Sequence, residues 1–290
     1  MSDPRTLRLS VIMPVYNEAA TVEASIQRVW RVPLDMELIC VDDGSSDGTA
    51  DVLRRLETDG VIDRLLIHEV NRGKGAAVRT GIEAATGDII VVQDADLEYD
   101  PLELPLLIQP ILDGRADAVF GSRFQGGAHR VLYFWHSIGN GLLTLLSNML
   151  TDLNLTDMET CYKAVRADLM KSLPLRARRF GIEPELTARL AQAGARVYEI
   201  PISYHGRTYD EGKKIGWKDG IAALWFILRY NLLPPKASRY GTPDTLPSAR
   251  ARGSAPAGPG PDAQSPTFEL HSEMEGPHAG DRRPPARGDA

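Results

Sequence analysis

The residues best suited to chemistry follow an apolar run in the stretch "VVQDADLEYDP", which extends from Val91 to Pro101. Asp94 and Asp96 are separated by one residue, so on an extended strand their carboxylates share a face. Neighbouring carboxylates repel each other, and a divalent cation removes that repulsion. Mg²⁺ is typically held by one or two carboxylates and the phosphates of a substrate, and Mn²⁺ takes similar oxygen ligands. The pair predicts a Mg²⁺ or Mn²⁺ site, although an isolated D-x-D pattern also occurs on solvated strand ends.

A second acidic motif, "VDDGSSDGT", follows another apolar run. Asp42 or Asp43, at the end of that run, is placed to accept hydrogen bonds from a nucleobase. Two alternatives are a turn in which Ser46 or Asp47 caps the next helix, and a calcium-binding loop. The calcium loop is disfavoured because no glutamate stands at its twelfth position and no helix precedes it.

A third motif, "NRGKGAAVRTG", resembles a phosphate-binding loop only in its glycines. It lacks the G-x-x-x-x-G-K-[ST] spacing of nucleotide-hydrolysing P-loop proteins. Its glycines instead allow a close approach between the backbone and a ligand.

These motifs lie between segments that alternate in character. The strand-like runs are "LSVIMPV", "MELICV", "RLLIHE", "DIIVVQ" and "ADAVFGS". The helix-like runs are Ala19–Trp30, "TADVLRRLE", "KGAAVRTGIEAA" and, despite Pro105, "LELPLLIQPIL". The alternation predicts an α/β fold with a mostly parallel central sheet covered by helices on both faces. Ligands bind such sheets beyond the carboxyl ends of the strands, which is where the polar motifs fall.

The composition changes after Leu233. Residues 234–290 are rich in Pro, Gly, Ala and Ser and contain few apolar residues. Such a segment buries too little surface to offset the entropy lost on ordering. The sequence predicts one folded domain over residues 7–233, followed by a disordered tail over residues 234–290.

Bulk properties exclude several classes of protein. A net charge of −6 and a pI near 5.6 argue against nucleic-acid binding. Cys40 and Cys161 are far apart in sequence and suggest no disulfide framework, which fits a reducing cytoplasm. The N-terminal "MSDPRTLRLS" lacks the apolar core of a secretion signal. We therefore expect a cytoplasmic protein.

Two apolar stretches bear on membranes. "VLYFWHSIGNGLLTLLSNML" is interrupted by polar residues and does not qualify cleanly as a transmembrane helix. The second stretch, "IAALWFILRYNLL", is too short to span and is broken by Arg229. The helix-like segment from Trp217 to Leu233, which contains it, has aromatic residues and flanking lysines that suit an interfacial helix. The alternative is a helix packed on the sheet. A membrane protein that recruits this chain is a further possibility.

Taken together, "SVIMPVYNEAATV", "VDDGSSDGT", "NRGKGAAVRTG", "QDADLEYDP" and "GSRF" resemble, in order and approximate spacing, the motifs of family 2 glycosyltransferases with the GT-A, Rossmann-like fold. The most similar subgroup is the polyprenol-phosphate (dolichol-phosphate) mannosyl- and glucosyltransferases. The likeness extends from about Leu9 to Lys214. Each motif is weak alone, and the set in register is specific.

The resemblance implies roles for individual residues. The implied nucleotide-sugar-binding residues are Pro14, Tyr16, Glu18, Asp43, Asp94, Arg123, Arg207, Lys213 and Lys214. The implied metal ligands are Asp94, Asp96 and Glu98. The implied catalytic residues are Asp96, Arg123 and Asp157. Within these sets, Asp43 is the base-reading acid, Arg123 contacts phosphate, and Arg207 acts with one of the two lysines.

The resemblance also implies a reaction: inverting transfer of a hexose from a donor of the GDP-mannose or UDP-glucose type to a polyprenyl phosphate. This would take place at the cytosolic membrane face, with the protein in peripheral contact. The alternatives are a metal-dependent glycosyltransferase with a soluble or cell-envelope hydroxyl acceptor, and a non-catalytic nucleotide-sugar-binding subunit. A hydroxyl acceptor needs a general base, for which Asp157 and Glu159 are the candidates.

Overall fold

The computed structural model of the chain describes residues 7–126, 130, 133–179, 181–206 and 217–233, with the backbone alone for residues 217–219. The chain divides into two units, Met1–Ala249 and Arg250–Ala290, and every described residue belongs to the first. The expected domain end at Leu233 and the expected disorder beyond it concern residues outside the described part, so both stay predictions.

A seven-stranded sheet forms the centre of the molecule, in the order β3-β2-β1-β4-β6-β5-β7. The strands are β1 Leu9–Val15, β2 Met36–Asp42, β3 Arg64–Ile67, β4 Ile89–Val92, β5 Ala118–Ser122, β6 Lys163–Arg166 and β7 Val197–Pro201. Strand β6 runs antiparallel to both of its neighbours, β4 and β5, and the other pairings are parallel. The expected α/β fold with a mostly parallel sheet is confirmed.

Helices cover both faces of the sheet. They are α1 Val22–Val29, α2 Thr49–Thr58, α3 Lys74–Ala84, α4 Leu104–Leu112, α5 Phe134–Thr151, α6 Ala167–Ser172, α7 Ile182–Gln192 and α8 Trp217–Leu232. The apolar side chains of α1, α2 and α4 join one core cluster, and those of α3, α6, α7 and α8 join a second. Strand β1 shows why there are two: Val11 and Met13 belong to the first cluster and Ile12 to the second. Alternate side chains of a strand point to opposite faces, so each face buries its own layer.

The helix starts differ from expectation in detail. Helix α1 begins at Val22 rather than Ala19. Helix α2 has Gly48 at its N-cap with φ 92°, a left-handed conformation that glycine adopts without strain. The expected cap at Ser46 or Asp47 is therefore wrong, although Asp47 accepts a hydrogen bond from the Thr49 amide at 3.0 Å. Helix α4 tolerates Pro105 because a first-turn proline lacks only an N–H that has no partner within the helix.

Within the described part of the chain, no helix combines the length and apolar character needed to cross a bilayer.

Candidate functional site

The expected site lies at one edge of the sheet, where β1, β2 and β4 end together. The ends of the first two strands are in register, with Val15 opposite Asp42. The loops that follow are tied to each other: Asn17 N–H donates to Ser45 Oγ at 2.9 Å, and Glu18 N–H donates to Thr49 Oγ1 at 3.0 Å. The "YNE" and "DDGSSDGT" motifs thus form one surface, as their places after adjacent strands predicted.

The predicted nucleotide loop lies on that surface. Pro14 is partly buried within β1, opposite Val41, whereas Tyr16 is exposed. The Glu18 carboxylate accepts a hydrogen bond from Thr21 Oγ1 at 2.6 Å. Hydrogen bonds therefore hold this loop in place, and its Tyr16 side chain is exposed to solvent.

Asp43 is buried in a network that links β2 to the glycine-rich loop. Its Oδ1 accepts the Arg72 N–H at 3.0 Å and lies 2.7 Å from His68 Nδ1, while its Oδ2 accepts the Gly73 N–H at 2.6 Å. The neighbouring Asp42 has one buried carboxylate oxygen with no hydrogen-bond partner among the described residues. Asp43 thus holds the "NRGKG" loop against the strand end, and its reading of a base stays a prediction.

Asp94 is paired with a cation that the sequence did not single out. Lys74 Nζ lies 2.8 Å from Asp94 Oδ1 and 3.0 Å from Oδ2, and it also contacts the sulfur of Cys161. Burial alone would lower the pKa of Lys74, but the Asp94 and Glu183 carboxylates hold it well above its usual value. Burial and the Asp94 charge raise the pKa of the Cys161 thiol, so Cys161 is an un-ionised neighbour of the site.

Asp96 and Glu98 occupy the turn after β4. Asp96 Oδ1 accepts the Glu98 N–H at 3.2 Å, and Glu98 Oε2 accepts the Tyr204 hydroxyl at 2.8 Å. No three His, Cys, Asp or Glu side chains of the described residues form a ready metal cage. The donor set of Asp94 and Asp96 still fits Mg²⁺ or Mn²⁺, because such ions take one or two protein carboxylates and complete their shells with phosphate and water. Glu98, which binds Tyr204, is the weaker candidate ligand.

Arg123 and Asp157 form a two-pronged ion pair in which the Asp157 side chain is fully buried. Arg123 Nε lies 2.6 Å from Asp157 Oδ2, and Nη2 lies 2.7 Å from Oδ1. The Arg123 N–H and Asn140 Nδ2 donate to the same carboxylate at 3.2 Å and 3.3 Å. A carboxylate accepts about four hydrogen bonds, so Asp157 is saturated. This geometry favours Asp157 as the group that positions Arg123 rather than as a base, and both assigned catalytic roles stay predictions.

Glu159 lies near this ion pair, and its carboxyl group differs from that of Asp157 in its hydrogen bonding. Its Oε1 is buried without a hydrogen-bond partner among the described residues. Burial, opposed by Lys163 and reinforced by Glu183, raises its pKa to about 7. Near neutral pH, Glu159 is therefore able to hold or release a proton inside the site.

A lysine–glutamate pair lies next to the Lys74–Asp94 pair. Lys163, on β6, is 1% exposed, and its Nζ lies 2.5 Å from Glu183 Oε2. It also donates to the Met158 carbonyl at 2.9 Å. Glu183 Oε1 in turn lies 3.7 Å from Lys74 Nζ, so Glu183 connects Lys163 to the Lys74–Asp94 pair.

Three functional candidates were missed from the sequence: Lys74, Lys163 and Glu183. Lys74 stood in a motif that was noted for its glycines alone. Lys163 had a signal, since it lies between Tyr162 and the apolar pair Ala164–Val165, where a solvated lysine is unusual. Arg207, Lys213 and Lys214, the predicted basic group, lie outside the described residues.

The pKa of Glu159 leads to a prediction for stability. A carboxyl group whose folded-state pKa is about 7 and whose ordinary value is 4.5 binds protons more tightly when folded. Its contribution to stability is full below pH 4.5 and is lost as the pH rises through 7. We expect Glu159→Gln to change unfolding little at pH 5 and to raise the free energy of unfolding by up to about 3 kcal/mol at pH 8.

The measurement is thermal unfolding of the metal-free protein at both pH values. Glu83→Gln, which changes an exposed glutamate of α3, is the matched control and should shift neither. Melting temperatures of the wild type and Glu159→Gln that stay equal at pH 8 would contradict the predicted pKa.

A family model described as "Glycosyl transferase family 2" matches residues 10–173, more than half of the chain. The chain belongs to glycosyltransferase family 2. The match contains the strand-end loops, the Lys74–Asp94 pair and the Arg123–Asp157 pair, and the resemblance inferred from the motifs is confirmed.

Curated relatives in this family transfer sugars to polyprenyl phosphates, according to their names. The undecaprenyl-phosphate mannosyltransferase of Micrococcus luteus is 29% identical, over 78% of this chain and 99% of the relative. The dodecaprenyl-phosphate galacturonate synthase of Rhizobium johnstonii is 28% identical, over 73% of this chain and 63% of the relative. The chain thus spans nearly the full length of the first relative and less than two thirds of the second.

Solved structures share the fold. The glucosyl-3-phosphoglycerate synthase of Mycobacterium tuberculosis, in complex with Mn²⁺, UDP and glucosyl-3-phosphoglycerate, superposes with a TM-score of 0.61. It is 24% identical, and the match covers 79% of this chain and 81% of that one. The same enzyme with Mn²⁺ and UDP-glucose also gives a TM-score of 0.61. Such a likeness establishes the common glycosyltransferase fold.

Proposed function

We propose that this family 2 glycosyltransferase transfers a hexose, with inversion, from a nucleoside-diphosphate sugar to a polyprenyl phosphate at the cytosolic face of a membrane. The observation that carries the proposal is the pairing at the sheet edge. Lys74 is paired with Asp94, and Arg123 lies over the ring of Tyr204. The Tyr204 hydroxyl donates to Glu98, in the same turn as Asp96. The names of the Micrococcus and Rhizobium relatives support the acceptor.

On the donor side, the chain must hold a diphosphate and stabilise the charge that grows on it. Asp94 and Asp96 would hold a divalent ion, which when bound neutralises part of that charge. Arg123 is kept in place by Asp157 and presents a guanidinium to phosphate oxygens. Asp43 and the loop that contains Tyr16 border the region where the nucleoside would lie.

On the acceptor side, the saturation of Asp157 is informative. A phosphate acceptor is already anionic at neutral pH and needs no base, whereas a hydroxyl acceptor needs one within hydrogen-bond reach. Each of the four acceptor positions of Asp157 is taken by Arg123 or Asn140. A site in which the aspartate paired with Arg123 is fully engaged in hydrogen bonds suits a phosphate nucleophile.

Glu159 favours a second candidate function, transfer to a hydroxyl acceptor. With a pKa of about 7 and a buried oxygen that has no hydrogen-bond partner in the described part of the chain, Glu159 has the properties of a general base. The two functions are separated by the acceptor that is used, and the non-catalytic alternative predicts donor binding without turnover.

The test is a donor and acceptor matrix. Thermal unfolding with GDP-mannose, UDP-glucose and other GDP- and UDP-sugars, with and without Mn²⁺, identifies the donor, because binding to the folded state raises its melting temperature. Transfer is then measured to undecaprenyl phosphate and to soluble hydroxyl compounds. Rapid transfer to a soluble compound and none to any polyprenyl phosphate would overturn the proposal. Donor binding with no transfer and no hydrolysis would indicate a binding subunit.

The basic segment that contains Arg207, Lys213 and Lys214 gives a prediction for the acceptor. Replacing both lysines with glutamate should lower transfer to undecaprenyl phosphate by about tenfold or more, while donor hydrolysis changes far less, because anionic side chains repel a lipid phosphate. Lys171→Glu, an exposed change on α6, is the control. An equal fall in both activities would instead assign the lysines to the donor diphosphate.

A further inference from the structure

The outer surface of α5 is apolar and exposed. Trp135, Ile138, Leu142, Leu145 and Met149 recur at alternating spacings of three and four residues along this surface. Trp135 is 78% exposed and Met149 is 74% exposed, although both are large apolar side chains. Helix α5 contains no Asp, Glu, Lys or Arg, so no charge interrupts the stripe.

Helix α8 extends this surface. It contacts α5, and its inner residues Ile227 and Tyr230 are buried in the core. Its exposed apolar residues are Ile221, Leu224, Trp225 and Leu232. We refer to the exposed apolar residues of the two helices as the apolar face. Scattered exposed leucines need no explanation, but exposed apolar side chains concentrated on two neighbouring helices mark an interaction surface.

A basic loop borders α8. In the described part of this loop, residues 173–179 and 181, the exposed basic residues are Arg176, Arg178 and Arg179. The Phe226 ring of α8 lies 2.9 Å from the point that a side-chain carbon on Gly181 would occupy, so the end of the loop is packed tightly on the helix.

The loop is also held rigidly. The Arg176 and Ala177 N–H groups donate to Glu185 Oε2 at 2.7 Å and 2.6 Å. The backbone of Arg178 lies against Gly73, beside the exposed Arg72. The arginines are therefore presented from a fixed backbone next to the apolar face, in a protein whose overall charge is −6.

We propose that the apolar face docks this protein on an anionic lipid bilayer, with the 173–181 arginines at the headgroups. Apolar and aromatic side chains enter the interface of a bilayer, and neighbouring basic residues each add attraction to anionic lipids.

Helix α5 connects the apolar face to the candidate site, and the role of this connection rests on the proposed function. Asn140, on the inner side of α5, donates to Asp157 and lies 3.5 Å from Arg123 Nη2. One helix thus bears the bilayer-facing stripe and borders the site proposed for the acceptor phosphate. A polyprenyl chain left in the bilayer could present its phosphate to Arg123.

The test is flotation of the full-length protein with vesicles that contain neither polyprenyl phosphate nor donor. We expect binding to vesicles of phosphatidylcholine with phosphatidylglycerol, and weaker binding to phosphatidylcholine alone. The double variant Leu142→Glu and Leu145→Glu should lower the partition coefficient by about tenfold or more. The matched control, Leu102→Glu with Leu106→Glu, places the same charges at exposed leucines before and within α4 and should bind like the wild type.

Two further arms make the outcomes distinct. Arg178→Glu with Arg179→Glu should reduce binding to the anionic vesicles only. Circular dichroism and thermal unfolding establish that each variant is folded. No vesicle binding by the wild type, or equal binding by the Leu142/Leu145 variant, would overturn the proposal. A wild-type dimer that the same variant converts to a monomer, without vesicle binding, would assign the face to a second copy of the chain.

The two proposals also fail separately. If both hold, the Leu142/Leu145 variant loses transfer to undecaprenyl phosphate in vesicles but keeps transfer to a short polyprenyl phosphate in solution. Vesicle binding with no transfer to either acceptor would overturn the proposed function and leave the docking surface intact.

Discussion

Replacing Asp96 with alanine is expected to lower the rate of sugar transfer by about 100- to 1000-fold, the effect of removing one group that stabilises developing charge. Asp96 lies in the turn after β4 and is only partly buried, so its loss leaves the core untouched. The melting temperature should therefore stay close to that of the wild type.

The measurement compares initial transfer rates of wild type and Asp96→Ala over a titration of Mn²⁺ and Mg²⁺. Asp59→Ala, an exposed aspartate at the far end of α2, is the matched control and should retain full activity. A binding measurement complements the rates. The rise in melting temperature caused by a nucleoside diphosphate should depend on metal in the wild type and vanish in Asp96→Ala. Full activity in the variant, or in wild type with excess EDTA, would refute a metal role.

The first half of the chain was largely predictable from its sequence. Strand β1 was expected at Leu9–Val15 and is found there, and α3 ends within one residue of its expected limit. These segments are short apolar runs bounded by polar loops, and local patterning alone defines them. Parallel strands end at the same edge of a sheet, so the sequence also predicted that the "YNE", "DDGSSDGT" and "DADLE" motifs lie close together.

The second half was less predictable because its partners are distant in sequence. Strand β6 enters the sheet antiparallel between β4 and β5, and its short run "KAVR" begins with a lysine that is buried in the structure. The Arg123–Asp157 pair joins residues 34 positions apart. Hydrogen bonds from Arg123 and Asn140 saturate the Asp157 carboxylate, and no local sequence pattern indicates them. The role of Lys74 was hidden for the same reason, since its partners Asp94 and Cys161 come from other loops.

The second large effect is expected on stability. Lys163→Met should lower the free energy of unfolding by about 3–5 kcal/mol, because it leaves the Glu183 carboxylate without its buried partner. For a domain of this size, each kcal/mol shifts the melting temperature by about 2–4 °C. The melting temperature should therefore fall by roughly 6–20 °C. Arg54→Met, which breaks a surface ion pair with Asp51, is the control and should change stability by less than about 1 kcal/mol.

The double variant Lys163→Met with Glu183→Gln tests the cause. If the loss comes from an uncompensated buried charge, removing that charge as well should recover much of the stability. Equal losses in the single and double variants would show that packing around Lys163, including its position 4.9 Å from the Phe120 ring, matters more than charge.

The same double variant distinguishes a role of Glu183 in stability from a role in metal binding. Glu183 contacts both Lys163 and Lys74, and Lys74 is paired with Asp94. The charges of the two lysines are therefore balanced by the carboxylates of Glu183 and Asp94. Once Glu183 is uncharged, Asp94 is the one ionic partner left to Lys74 among the described residues, and Lys74 should bind it more tightly. A divalent ion would then compete less well for the Asp94 carboxylate. We expect recovered stability with a several-fold higher metal requirement for transfer. An unchanged metal requirement would mean that Glu183 acts on the fold alone.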